Sequence, residues 1–384
     1  PQGMAYALVA GLPISYGLLG SAIAAIMGGI FGGGRFITLG PTNATAVLLF
    51  GVFAGIGLIQ ADGMASSDAL LLLPWILIAS ALFLIVASVL RISFMIQFIS
   101  RTVITAYVTA ACCLIIANQC KHLLGLQNSS SEVPTTFFEI ILNACLSLQS
   151  FSVPALTLSI ITAILFFLLQ RKFPSLPNVA ITLVLSSLVA IGLEEINWKI
   201  TKLDNFDLAG SFLTFPETSN FTNHWETILS AAFAVSLLCL LEGLSIGKSL
   251  AARAGSRLDS NQEAMSIGFG NLGCAFFSGM PASGSLTRST LNVQSGARTS
   301  IANLVAGGLI ILVSGFLGNL ISYVPLCSLA TLVVFIGASL IKLRQIKTVS
   351  RATGSDAVTF LVTLAVGLLF SLQVAIFAGM LTSI

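Results

Sequence analysis

The chain has 384 residues, 56% of them hydrophobic and only 8% charged, with a formal net charge of +3 and a mean hydropathy of +1.00. That balance excludes a water-soluble domain, and the charges are too few and too scattered to suit nucleic acid. What remains is an all-α polytopic membrane protein, its apolar runs of roughly 20 residues separated by Pro, Gly and turn-rich breaks.

The chain opens at Pro1 inside an apolar segment with no basic lead, and it reads as trimmed there. Candidate spans are the tail of a first helix at 1–12, then 14–33, 37–58, 70–90 and 93–119. A polar insert near 120–150 follows, in which Phe137, Phe138, Ile140, Ile141 and Leu142 suit a helix lying along the interface. Spans at 153–170 and 178–193 close the first half. After a second insert at 194–227 come 228–247, 262–280, 283–295, 299–318, 324–341, 356–371 and 372–384. If the first helix runs outward, all 17 Lys and Arg sort cleanly. Only Lys121, Lys199 and Lys202 fall outside and Arg288 stays within the membrane, while the rest line the inner side.

Seven spans on each side suggest an internal repeat, 1–193 against 228–384, and an odd number makes it inverted. The third span of each half begins alike: Phe36-Ile37-Thr38-Leu39-Gly40-Pro41-Thr42-Asn43 against Ser283-Gly284-Ser285-Leu286-Thr287-Arg288. Both read as a short strand-like piece followed by a helix start, with Pro41 suited to a first turn and Thr42 and Asn43 able to satisfy its free amides. Gly- and Pro-interrupted segments at matching places in two halves point to a transporter site.

Residues 279–298 place Arg288, four hydroxyls (Ser283, Ser285, Thr287, Ser289) and several glycines at membrane depth. An ionisable group there is costly and usually functional, and irregular backbone is tolerated only where it lines a cavity or is buried. Two facing half-helix starts with a guanidinium beside them describe an anion site. The plainer reading is that Arg288 snorkels or pairs with a carbonyl. Glu242 is the other outlier. Desolvated there, it can take and lose a proton in the physiological range, or it can be a structural partner for Arg288 or backbone amides. Gln2 and Tyr6, in the matching first span, are neutral donors for the same cavity, with core packing the alternative for Tyr6.

Other chemistry is unsupported. Gly32-Gly33-Gly34 reads as a helix end, and no His lies at membrane depth to activate a serine, so no enzyme is expected. The seven cysteines show neither CxxC nor metal spacing, so neither metal nor cofactor is expected. Cys112, Cys113, Cys239, Cys274 and Cys327 read as small buried thiols. A Cys120–Cys145 disulfide is a minor alternative, and His122 and His224 read as surface residues in polar loops.

Five blocks in order resemble the sulfate permease (SulP) family of prestin-type anion transporters across essentially the whole chain. They are Pro1-Gln2-Gly3-Met4-Ala5-Tyr6-Ala7 with Ala10-Gly11-Leu12-Pro13 and Tyr16-Gly17-Leu18; Ile37-Thr38-Leu39-Gly40-Pro41-Thr42; Glu242-Gly243-Leu244-Ser245-Ile246-Gly247-Lys248-Ser249; Asp259-Ser260-Asn261-Gln262-Glu263; and 279–298. The resemblance implies a uracil-transporter-like fold of fourteen spans in a 7+7 inverted repeat, broken in spans 3 and 10. It implies a core domain (1–90 and 228–318) and a gate domain (91–227 and 319–384). It further implies an anion site of Gln2, Tyr6, Thr42, Asn43, Ser285, Leu286, Thr287 and Arg288, with Glu242 on the position tied to cation coupling. A homodimer in the plasma (inner) membrane and a STAS domain after the last span are also implied, and the chain stops at Ile384 inside span fourteen. The Glu242 block is closer to proton-coupled sulfate carriers than to sodium-coupled bicarbonate ones. Proton-coupled sulfate uptake is therefore the leading expectation. Dicarboxylate or bicarbonate carriage, an uncoupled exchanger or channel, a nucleobase carrier and a voltage-responsive element are the alternatives.

Overall fold

The structure is a computed structural model that describes residues 2–34, 37–59, 64–91, 101–126, 136–173, 176, 178–195, 198–203, 212–213, 215–216, 218–253, 255, 257–341, 343–352, 354–370 and 372–383. The first half holds α1 (Gln2–Val9), α2 (Ile14–Phe31), β1 (Leu39–Pro41), α3 (Asn43–Gly55), α4 (Ser67–Val89), α5 (Arg101–Leu124), α6 (Phe137–Leu146), α7 (Val153–Lys172) and α8 (Asn178–Glu194). The second holds α9 (Thr218–Arg253), α10 (Ser260–Phe276), β2 (Ala282–Gly284), α11 (Leu286–Gln294), α12 (Ile301–Ile321), α13 (Leu326–Leu340), α14 (Leu343–Ala352), α15 (Gly354–Leu369) and α16 (Leu372–Ser383). Setting α6 and α14 aside as flanking helices leaves seven passes per half, the expected 7+7 order.

Five of these helices are long and apolar enough to cross a bilayer on length and composition alone. Two of the short passes have a physical cause. α3 has 13 residues and α11 only 9, or about 20 and 14 Å at ~1.5 Å per residue, because each shares its pass with a strand. Local sequence sets the ends. Ser66 caps α4 and Ser152 caps α7, each accepting from the amide three residues on, while Pro74 sits inside α4, as membrane helices permit. α9 is two helices joined at a kink, with His224 at φ −131° and ψ 24°.

Burial runs opposite to that of a soluble protein at the periphery. Phe316 is 81% exposed, and Leu82, Phe167, Leu188 and Leu361 are exposed beside it in kind, a surface only lipid tolerates. The centre is closely packed, with Leu12, Leu19, Phe53, Leu73 and Leu77 essentially inaccessible. The closest packing falls into two sets: α2, α4, α9, α10 and α12 against one another, and α5, α7, α8, α13, α15 and α16 likewise. α1 joins the first set through α2, and α3 touches both through α9 and α5.

Three sequence readings change. His122 lies in the last turn of α5 rather than in a loop, and His224 is exposed but at the helix kink. All seven cysteines are free, including Cys120 and Cys145. α14, between two of the expected spans, is an additional short helix with Arg344 and Lys347 exposed. The interfacial helix expected in the first insert is present as α6, capped by Thr136 and Glu139 in a reciprocal box.

Candidate anion site

β1 and β2 pair antiparallel, Leu39 opposite Gly284, Gly40 opposite Ser283 and Pro41 opposite Ala282. Antiparallel pairing is what two oppositely oriented copies of one motif must give. Each strand runs straight into a helix, with Thr42 capping α3 and Ser285 capping α11. The caps Thr42 and Ser285 lie one residue beyond opposite ends of this ladder, roughly four residue steps apart along it, on the order of 13 Å. The leading amides of each helix lack intrahelical acceptors, and each start carries roughly half a positive charge.

Thr42 does more than cap. Its Oγ1 accepts from the Thr45 amide at 3.3 Å, and its own amide donates to Thr45 Oγ1 at 3.1 Å. The Thr42 hydroxyl also donates to Glu242 Oε2 at 2.7 Å. A carboxylate from α9 is thereby tied to the start of α3. Gly284 permits this approach, since a Cβ there would stand 2.9 Å from the Gly243 Cα, next to Glu242.

Arg288 reaches from α11 across to β1. Its Nη2 donates to the Pro41 carbonyl at 2.6 Å and its Nη1 to Ser21 Oγ of α2 at 3.5 Å, while its Nε is buried without a partner. The guanidinium lies over Gly40, where a Cβ would come within 2.5 Å of Nη1. The carbonyl pairing weighed in the sequence is therefore present, yet the group does not snorkel. Its Nε–H is left without a partner. Glu242 is not its ion-pair partner; among the described residues the ion pair within 4.0 Å is Lys202–Glu194.

Tyr6 is buried on α1 within electrostatic reach of both Arg288 and Glu242. Gln2 stands one turn before it on α1, partly buried. Asn43 turns away, its Nδ2 donating to Cys112 Sγ of α5 at 3.8 Å, so it does not cap α3 as expected. Pro41 likewise closes β1 rather than opening a helix. Leu286 and Thr287 are exposed at the start of α11. Of the four hydroxyls, Ser283 spends its proton on the Cys239 carbonyl at 2.8 Å. Ser285 Oγ accepts from the Arg288 amide at 3.5 Å and Ser289 Oγ from the Thr38 amide at 2.9 Å, which leaves both their O–H groups free to donate.

Sequence reasoning missed Tyr107. It is buried on α5, donates to the Ala44 carbonyl at 3.4 Å in the first turn of α3, and lies within electrostatic reach of Glu242. A lone tyrosine in an apolar run was the available signal.

Fold and site together define an integral, multi-pass membrane protein of the broken-helix inverted-repeat class. The chain belongs to the sulfate permease family, whose model matches residues 1–363. It is 27% identical over 384 residues to sulfate transporter 4.1, chloroplastic, of Arabidopsis thaliana, covering 99% of this chain and 55% of that protein. It is 28% identical over 417 residues to the sodium-independent sulfate anion transporter of Bos taurus, covering 100% and 66%. The chain thus spans little more than half to two thirds of the length of these relatives. The transmembrane domain of a cyanobacterium bicarbonate transporter, BicA, superposes with a TM-score of 0.82 at 22% identity, covering 98% of this chain and 92% of that one. Murine Slc26a9 in its inward-facing state gives 0.88 at 19% identity, covering 100% and 65%. These two likenesses establish the fold.

Proposed function

We propose that the chain is the transporting part of a secondary active carrier for a small inorganic anion, with sulfate its favoured substrate and a proton its co-substrate. The observation that carries this is the crossed pair of helix starts with a guanidinium whose Nε is buried and unpartnered. An oxyanion there gains free amides from α3 and α11, hydroxyl donors from Ser285, Thr287 and Ser289, and the remaining guanidinium N–H. Gln2 and Tyr6 border the same space from α1. The curated relatives of Arabidopsis thaliana and Bos taurus, named as sulfate transporters, favour sulfate over the alternatives.

The Thr42–Glu242 bond supports coupling. An ionised Glu242 beside the α3 start is itself an anion occupying the favourable field, so it opposes a second anion. Protonation removes that opposition, and proton and substrate then bind cooperatively. Linkage requires the effect to be reciprocal. The two packing sets act as a core and a gate that move against each other. A homodimer in the plasma membrane completes the reading.

Labelled sulfate uptake into proteoliposomes at two pH values and two potentials tests it. Uptake driven by an inward proton gradient and competed by excess unlabelled sulfate is expected. Flux indifferent to pH would leave an uncoupled exchanger, and no saturable sulfate flux would remove sulfate as substrate.

A further inference from the structure

Two buried asparagines, apart from the residues assigned to the anion, grip the strand pair. Asn271 of α10 is fully buried. Its Nδ2 donates to the carbonyls of Ala282 and Ile267, both at 2.9 Å, and its Oδ1 accepts from the Ala282 amide at 3.0 Å. One side-chain amide therefore pairs with both backbone groups of one β2 residue, as a third strand would. Ala282 turns both backbone groups away from Pro41, its neighbour across the ladder, and Asn271 satisfies them on that outer edge.

Asn303 of α12 is 1% exposed and serves the β1 side. Its Nδ2 donates to the Ile37 carbonyl at 2.7 Å. Its Oδ1 accepts from the Thr38 hydroxyl at 2.8 Å and from Asn292 Nδ2 of α11 at 3.3 Å. Thr38 is in turn bonded to both ends of the first turn of α11. Its carbonyl accepts from the Ser285 amide at 3.1 Å, and its amide donates to Ser289 Oγ at 2.9 Å.

An amide in an apolar helix is costly unless every group is paired. These two are paired, and their bonds converge on the strands and the first turn of α11 rather than on their own helices' neighbours at large. A site assembled from helix ends works only if the ends are held to within about 0.5 Å, and a three-residue ladder cannot supply that alone. We propose that Asn271 and Asn303 are positioning residues. They fix the register of the strand pair, and through it the separation and angle at which α3, α11 and Arg288 face the anion. The inference rests on the anion site proposed above.

The experiment compares Asn271→Leu and Asn303→Leu with the near-isosteric Asn271→Asp and Asn303→Asp. Ser159→Ala is the control. It removes a buried hydrogen bond, Ser159 to the Leu123 carbonyl at 3.0 Å, in the other packing set. Spin labels on cysteines replacing Ile56 and Leu291, 36% and 62% exposed near the far ends of α3 and α11, report the geometry in a background without the seven native cysteines. The asparagine variants should broaden or shift the distance distribution, and Ser159→Ala should not. Apparent KM for sulfate should rise about tenfold, the scale of one buried hydrogen-bonded pair, with maximal rate and thermal midpoint much less affected. If the Leu variants fail to fold, the Asp variants carry the comparison. Unchanged distances in the folded asparagine variants, or a fall in maximal rate with KM intact, would overturn the proposal. Absence of sulfate uptake in the unmodified chain would instead sink the substrate reading, with the distance measurement still deciding the positioning.

Discussion

Arg288 is the residue on which most of the proposed chemistry turns, and its surroundings make two substitutions informative. Removing it takes one charge-assisted donor from the anion and leaves the Pro41 carbonyl without its 2.6 Å partner. Arg288→Ala should weaken apparent sulfate affinity by about 1.5–3 kcal/mol, roughly 10–150-fold. Lysine should restore only part of this, because a point charge cannot serve Pro41, Ser21 and an anion with a planar fork. Gly40→Ala is the complementary case. It leaves the charge in place but drives a methyl into the guanidinium, so affinity should fall in the same direction with Arg288 still present. Affinity unaltered in both variants, measured by concentration-dependent uptake, would take Arg288 out of the site. A different residue tests stability alone. Glu263, 1% exposed at the start of α10, accepts from the Gly34 amide at 3.3 Å and holds the glycine stretch after α2. Glu263→Ala strands that amide and should cost about 1–3 kcal/mol, read as a lowered thermal midpoint in detergent.

Helices and strands show what a sequence can and cannot announce. The broken spans were legible because they are built from local signals, a strand-like piece, Thr42 at a helix start and glycines where backbone comes close, though Pro41 ends β1 instead of opening α3 as expected. α6 was legible through its amphipathic run of Phe137, Phe138, Ile140, Ile141 and Leu142, whereas the Thr136–Glu139 box that caps it was seen only in the structure. Tyr107 and Asn303 were not, because each acts on a partner far away in the chain. Nor was Asn271, although Ala282 is only 11 positions on, because its side chain pairs with backbone across a turn. Tyr107 and Ala44 are 63 positions apart, and Asn303 and Ile37 are 266. A polar residue in an apolar run says that a partner exists without saying which. α14 was missed because a basic run reads equally as loop or as amphipathic helix until its ends are known. The two half-helices also differ in a way no pattern foretold: Thr42 is 8% exposed and bonded to Glu242, whereas Thr287 is open. In a background lacking native cysteines, Thr287→Cys should react readily with a polar thiol reagent and be slowed by saturating sulfate. Thr42→Cys should react slowly throughout. Equal, sulfate-independent labelling at both positions would separate the α11 start from the binding space.

At the scale of the whole molecule the question is where the work comes from. Bringing a divalent anion in against an inside-negative potential costs about 2.3 kcal/mol per charge per 100 mV, hence about 4.6 kcal/mol for sulfate at that voltage. In the proposed uptake, helix ends and Arg288 would help the anion bind, but affinity alone leaves the gradient unchanged, and the co-transported proton would supply the work. Glu242 belongs to the first packing set and bonds the cap of α3, while Tyr107 of the second set lies within its electrostatic reach. Its charge is thus felt by both bodies that must move. In the proposed cycle a protonated Glu242 would admit the anion and let the loaded core pass the gate, and the ionised, empty core would return for the next pair. Glu242→Gln fixes the neutral state. Sulfate binding and sulfate-for-sulfate exchange should persist, while accumulation driven by an inward proton gradient disappears and affinity no longer improves on acidification. The comparison needs both assays on one preparation, since loss of exchange as well would point to a damaged fold. If Glu242→Gln still concentrates sulfate with the original dependence on the proton gradient, the carboxylate only anchors Thr42, and the coupling group lies elsewhere.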